Sequence, residues 1–266
     1  MIESSAPPPK PDTYLDTMHW RYIDAVSVFV AGIAGAFIVT IVFAIAGIDP
    51  LDPLPFATVF AAQFGGSMLV VWWLSRKRGT GSLSADVGLV IRGKDWWGVP
   101  AGFLLQIAVA IITFPIIYLV FGSDPPQQGV SDVAGSATST AEQLVTLISL
   151  AVLAPIVEEI IYRGILLSAL RRSLGAWPSI LISAAIFGGI HALLDFNAIA
   201  AVPGLFLLGI VLAWVALRRG NLSLPIALHS GVNLLAGVFI VWGPQIEDWA
   251  ETQLDEIEGL IAFLPF

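Results

Sequence analysis

Residues 144–172 read LVTLISLAVLAPIVEEIIYRGILLSALRR, and this run decides what kind of molecule the chain makes. From Leu144 to Val157 it carries no charged side chain. Glu158, Glu159 and Arg163 then arrive close together, and Arg171 and Arg172 end the run. A helix needs about 20 apolar residues to cross the roughly 30 Å of hydrocarbon in a bilayer, and this stretch exceeds that. An ionisable residue inside such a span costs about 2.5 to 3.5 kcal/mol on insertion scales, so two acids and an arginine there demand a role. Stretches 25–48, 54–75, 99–121, 177–194, 198–217 and 222–243 repeat the apolar part of the pattern. Together with 144–172 they predict an all-α, polytopic transmembrane helix bundle of about seven spans.

Composition agrees. Of 266 residues, 57% are hydrophobic and 12% charged, about half the charged share of a soluble domain. The membrane lipid bilayer is therefore the first partner, and an integral, multi-pass protein of the plasma membrane is expected. Twelve Lys and Arg against twenty Asp and Glu give a net charge of -8 with no basic stripe, which argues against nucleic acid as a partner. The absence of cysteine excludes disulfides, thiolate metal sites and cysteine-protease chemistry.

The basic residues set the topology. Arg76, Lys77, Arg78, Arg92 and Lys94 follow the second span, Arg171 and Arg172 the fourth, and Arg218 and Arg219 the sixth. The opposite loops hold Asp49, Asp52, Asp124, Asp132 and Asp195 and no basic residue, so the positive-inside rule predicts N-in, C-out. Four regions follow. Residues 1–24 are polar and Pro-rich, read as a disordered cytoplasmic tail with His19 solvated beside Trp20. Residues 25–143 hold three spans and an inner loop whose Leu83, Val87, Val90, Trp96 and Trp97 read as membrane-surface anchors. Residues 144–243 form a polar-bearing core. In 244–266, Ile246, Trp249, Leu254, Ile257 and Ile261 recur at helical spacing, predicting an acidic amphipathic helix on the outer surface.

The membrane-embedded polar groups form a small set: Glu158, Glu159 and Arg163 in the fourth span, His191 in the fifth, His229 and Asn233 in the seventh. If the fourth and fifth spans make a hairpin turning at Leu174 and Gly175, Glu158 and His191 each lie about 24 Å from the turn and face one another. His229 and Asn233 enter from the same side to a depth of about 10 to 17 Å, so one pocket can hold all four. Glu159 and Arg163 are i and i+4 with the acid first, the favourable order for an ion pair. Adjacent residues point about 100° apart, which leaves Glu158 as the carboxylate for general acid or base work. His229 and Asn233, also i and i+4, offer two donors on one face, as an oxyanion requires. Pro155 and Pro225 precede Glu158 and His229 and predict kinks beside the site.

Written as motifs, the set is Glu158-Glu159-x-x-x-Arg163, Phe187-x-x-x-His191 and His229-x-x-x-Asn233. In this order on successive apolar helices they resemble the type II CAAX prenyl protease family of intramembrane endopeptidases, part of the CPBP or Abi group. The Tyr162-Arg163-Gly164 stretch resembles the family's aromatic-Arg-Gly sequence, and the resemblance covers about residues 144 to 243. It implies that Glu158 and His191 activate water, that His229 and Asn233 stabilise the tetrahedral oxyanion, and that Glu159, Arg163 and Phe187 support them. The substrate would be a membrane-associated, in some members lipid-modified, protein or peptide. A metal-free mechanism is expected. The competing version gathers Glu158, His191 and His229 as a zinc ligand set. No H-E-x-x-H helix is present, so the chain is not a zincin. Two non-protease readings use the same residues: an immunity factor or scaffold that keeps the fold without hydrolysis, and a proton-coupled transporter.

Overall fold

The computed structural model describes residues 20–262, with the backbone alone at 244, 247, 250 and 254–262. Residues 1–19, including His19, lie outside it, as do the side chains of Leu254, Ile257 and Ile261. Among the described residues there is helix and no strand. Seven long helices form the body: α1 (Tyr22–Ala46), α2 (Pro53–Arg78), α3 (Gly98–Phe121), α4 (Thr140–Leu174), α5 (Ala176–Leu194), α6 (Val202–Arg219) and α7 (Ser223–Ala262). Each contains or forms a segment long and apolar enough to cross a membrane. The protein is an integral, multi-pass helix bundle.

Burial divides the helices by role. Along α1 only Asp24, Ala25, Val28 and Gly32 are buried, so most of its apolar surface is left for lipid. Along α4 every residue from Glu159 to Leu170 is buried, whatever direction it points. A helix covered on all sides is central, and the others are arranged around this one. α3 packs closely on α7 because glycines remove the intervening side chains. A Cβ at Gly231 would collide with the Val99 carbonyl oxygen, and one at Gly102 with that of Leu228. In lipid, where apolar side chains gain little by leaving their solvent, such close backbone approach is a principal source of helix association.

Four features depart from the sequence reading. Trp20 is buried, and its indole N–H donates to the Asp86 carbonyl oxygen at 2.7 Å, so the ordered bundle begins before residue 24. Val87 is likewise fully buried instead of lying on the membrane surface, packed where Gly164 of α4 leaves room. Trp96 and Trp97 are exposed, as interfacial anchors are. The Asp86 carboxylate, itself buried, ties the inner loop together by accepting from Ser75 Oγ, Thr80 N and Thr80 Oγ1.

The prolines and the tail account for the other two. Pro225 sits in the first turn of α7, where no helical partner exists for its missing N–H, so it starts the helix without kinking it. α7 then runs for 40 residues without a break, about 60 Å. Residues 244–262 therefore extend the seventh span as one rod and do not form a separate surface helix. Trp249 on that extension is exposed.

Candidate active site

The helix that carries the two glutamates is not a regular α-helix. Ser149–Leu153 and Ile160–Leu166 are π-helical, and the α-helical turn Ala154–Glu159 lies between them. π-Turns cost hydrogen-bond geometry and persist mostly where a site needs the altered register. Pro155 gives a local cause for the first: it has no N–H to return to the preceding turn, and the widened turn ends at Leu153, two residues before it.

Glu159 is fully buried and is the hub. Its Oε1 accepts from Arg163 Nη1 at 2.8 Å and from His229 Nδ1 at 2.9 Å. Arg163, also fully buried, donates through Nη2 to the Gly209 carbonyl oxygen at 3.4 Å and lies over the Phe187 ring, with Cζ 4.5 Å from its centroid. A buried ion pair is tolerated when its members are paired and hydrogen-bonded; here both bonds fall on Glu159 Oε1, and Oε2 has no hydrogen-bond partner among the described residues. The i, i+4 pairing expected from spacing is present, and it also captures His229.

That capture orients the second histidine. With the Glu159 carboxylate accepting, His229 Nδ1 carries the hydrogen and Nε2 is turned the other way. Nε2 lies 3.6 Å from Glu158 Oε2, beyond direct hydrogen-bond length but close enough for one water to touch both atoms. Glu158 exposes 17% of its side chain where Glu159 exposes none, which separates the two acids by accessibility.

His191 is set by its own helix. Its Nδ1 lies 2.7 Å from the Phe187 carbonyl oxygen, one turn back on α5. A carbonyl only accepts, so this hydrogen too is on Nδ1, and His191 Nε2 is left as an acceptor. Among the described residues His191 forms no ion pair with either glutamate; the histidine beside Glu158 is His229. Phe187, fully buried, joins the parts. Its ring meets Tyr162, His191 and His229 edge-on at centroid distances of 5.0, 5.1 and 5.8 Å. Asn233, half-buried, donates from Nδ2 to the Leu150 carbonyl oxygen at 2.9 Å. Residue patterns gave no hint of that acceptor, because a backbone carbonyl has no letter in a sequence. Pro155 was the one available signal.

The zinc alternative needs Glu158, His191 and His229 to converge. Among the described residues no three His, Asp or Glu side chains are gathered into a group that could hold a metal ion. His229 Nδ1 is bonded to Glu159 and His191 Nδ1 to a carbonyl, which places the hydrogen on Nδ1 in both rings. The roles below are those of the side chains alone.

Beside the polar cluster, α3, α4 and α7 enclose a groove of about 350 Å³, lined by Val99, Leu147, Ile148, Ala151, Val152, Ser230 and Leu234. Ala151 and Ser230 are the chain neighbours of Leu150 and His229, so this apolar groove adjoins the site.

Residues 140–235 match the family described as type II CAAX prenyl endopeptidase Rce1-like. This core is similar to that family. The match begins with α4 and ends just past Asn233, so the CAAX endopeptidase-like core takes in every polar residue just described. The family it matches is one of endopeptidases. An uncharacterized 24.3 kDa protein of Escherichia coli is 28% identical over 139 residues, covering 52% of this chain and 57% of the relative. The chain thus spans little more than half the length of that relative. No solved structure matches the chain.

Proposed function

We propose that the protein is an intramembrane endopeptidase that hydrolyses a peptide bond in a membrane-associated or lipid-modified polypeptide. The observation that carries this reading is the pairing of Glu158 Oε2 with His229 Nε2 across 3.6 Å, the histidine being held from behind by Glu159 and Arg163. A carboxylate and an oriented imidazole at that separation can share one water.

In this reading Glu158 takes a proton as the water oxygen attacks the scissile carbonyl carbon. His191 Nε2 accepts the water's second hydrogen and aligns it. The negative charge developing on the carbonyl oxygen is met by the remaining amide hydrogen of Asn233 and by His229 when protonated. The proton held between Glu158 and His229 is then delivered to the leaving nitrogen as the C–N bond breaks. The groove lined by Val99, Ala151, Val152 and Leu234 would receive an apolar segment of the substrate from the lipid side, consistent with a membrane-embedded polypeptide as partner.

The test uses purified full-length protein in detergent with a library of membrane-protein peptides. Cleavage of at least one peptide, persistence of that cleavage in a chelator, and its loss by about 10²- to 10⁴-fold in Glu158→Gln are expected. Full activity of Glu158→Gln would overturn the assignment. Full complementation of a deletion phenotype by the same variant would point instead to a non-hydrolytic immunity or scaffold role.

A further inference from the structure

Asn233 is held by a carbonyl that the helix ought to have used for itself. In an α-helix the Leu150 carbonyl would accept from the N–H of Ala154. Ala154 bonds instead to Ser149, one residue further back, because this turn is π-helical. In the same π register the next donor in line for Leu150 is residue 155, and residue 155 is proline. Register and residue type thus combine to leave one carbonyl without either of these backbone donors, in the interior of a membrane span. Such a group is costly unless satisfied. Asn233 of α7 satisfies it at 2.9 Å.

We propose that Pro155 is a positioning residue for Asn233: by withholding an N–H from the Leu150 carbonyl, it keeps that oxygen available as the anchor that fixes the Asn233 amide. The amide is planar, so committing one Nδ2 hydrogen fixes the directions of the other hydrogen and of Oδ1. An unanchored Asn at this place could rotate about its side-chain torsions, and the donor directed at the oxyanion would be lost for part of the time. The inference rests on the protease reading for its catalytic consequence, but the coupling between residues 155 and 233 exists whether or not the protein cleaves anything.

The experiment is a double-mutant cycle on the full-length protein in detergent, with Pro155→Ala, Asn233→Ala and the double variant, read first by thermal unfolding. With Pro155 present, Asn233→Ala strands a buried carbonyl and should lower the midpoint by roughly 2 to 8 °C. In the Pro155→Ala background the restored backbone N–H bonds Leu150, and the same substitution should cost less than a third of that. Equal shifts in the two backgrounds overturn the proposal. If Pro155→Ala does not accumulate, Asn233→Leu in the native background serves instead. Leu keeps the volume and cannot donate, so it should lose most of what the alanine loses, and an unchanged midpoint overturns the proposal. On a cleaved peptide, Pro155→Ala should lower kcat on the order of ten- to a hundredfold, with KM within about twofold. Additive unfolding shifts alongside Glu158-dependent cleavage sink this inference alone. A coupled cycle without any cleavage sinks the protease reading alone.

Discussion

Glu158 and Glu159 are neighbours in sequence and opposites in the structure. Glu159 is sealed among Arg163, His229 and Phe187 with no exposure, whereas Glu158 keeps 17% of its side chain open beside His229 Nε2. The roughly 100° between adjacent helical residues is enough to put one carboxylate inside the bundle and the other at its accessible edge. Two acids that cost the membrane alike thus do different things. One fixes an arginine and a histidine in place, and the other, in the proposed reading, meets the substrate.

Breaking that division from the sealed side should have the largest effect on stability. Glu159→Gln leaves the Arg163 guanidinium buried without its carboxylate, at about 3 to 5 kcal/mol, whereas Glu158→Gln should shift unfolding little while removing catalysis. Denaturant or thermal unfolding of the two variants side by side measures the contrast. A combined Glu159→Gln, Arg163→Met variant should recover much of the loss, because the stranded charge is gone. If Glu158→Gln is the more destabilised of the two single variants, the roles have been assigned backwards.

A smaller effect is expected one residue past Arg163. A Cβ at Gly164 would sit 3.0 Å from both Cβ and the carbonyl oxygen of Val87. Gly164→Ala should therefore cost about 1 to 3 kcal/mol by overpacking, through displacement of the inner loop. Pairing it with Val87→Ala, which makes room, should recover part of that cost. Additivity of the two would mean that the loop does not bear on α4.

The sequence made some of this legible and concealed the rest for physical reasons. The number of spans was readable because a bilayer imposes a minimum length on every crossing, and the Glu159–Arg163 pair because i, i+4 geometry is local. That polar residues of the fourth and seventh spans meet inside the bundle was readable from the cost of polar groups in lipid. The wiring of the site was not. That His229 reaches both glutamates depends on how α7 packs on α4, and the Leu150 anchor is a backbone atom in a register no residue letter encodes. Pro155 and Pro225 looked equivalent as letters. One lies inside α4 and is accommodated by a π-turn, while the other begins α7 and needs no accommodation. Val87 looked like a surface anchor because its neighbours are charged, yet Asp86 beside it is bonded inward by Ser75 and Thr80 and carries the loop into the bundle.

The smallest expected effect lies at the point where the chain first joins this arrangement. Trp20 donates one neutral hydrogen bond to the Asp86 carbonyl, and its ring is buried. Trp20→Phe keeps most of the apolar contact and removes the donor, so about 1 kcal/mol of stability should be lost. The consequence for the site should be smaller still. The Asp86 carboxylate keeps its donors at Ser75 and Thr80, and Val87 remains packed at Gly164. Unfolding midpoint and peptide cleavage measured together on this variant therefore separate two kinds of coupling. A modest fall in midpoint with unchanged cleavage places the amino-terminal anchor on the stabilising side of the division, with Glu159 and Arg163. A loss of cleavage as large as that of Glu158→Gln would mean that the inner loop communicates with the open carboxylate, and that the boundary between brace and working edge runs through the loop as well as along α4.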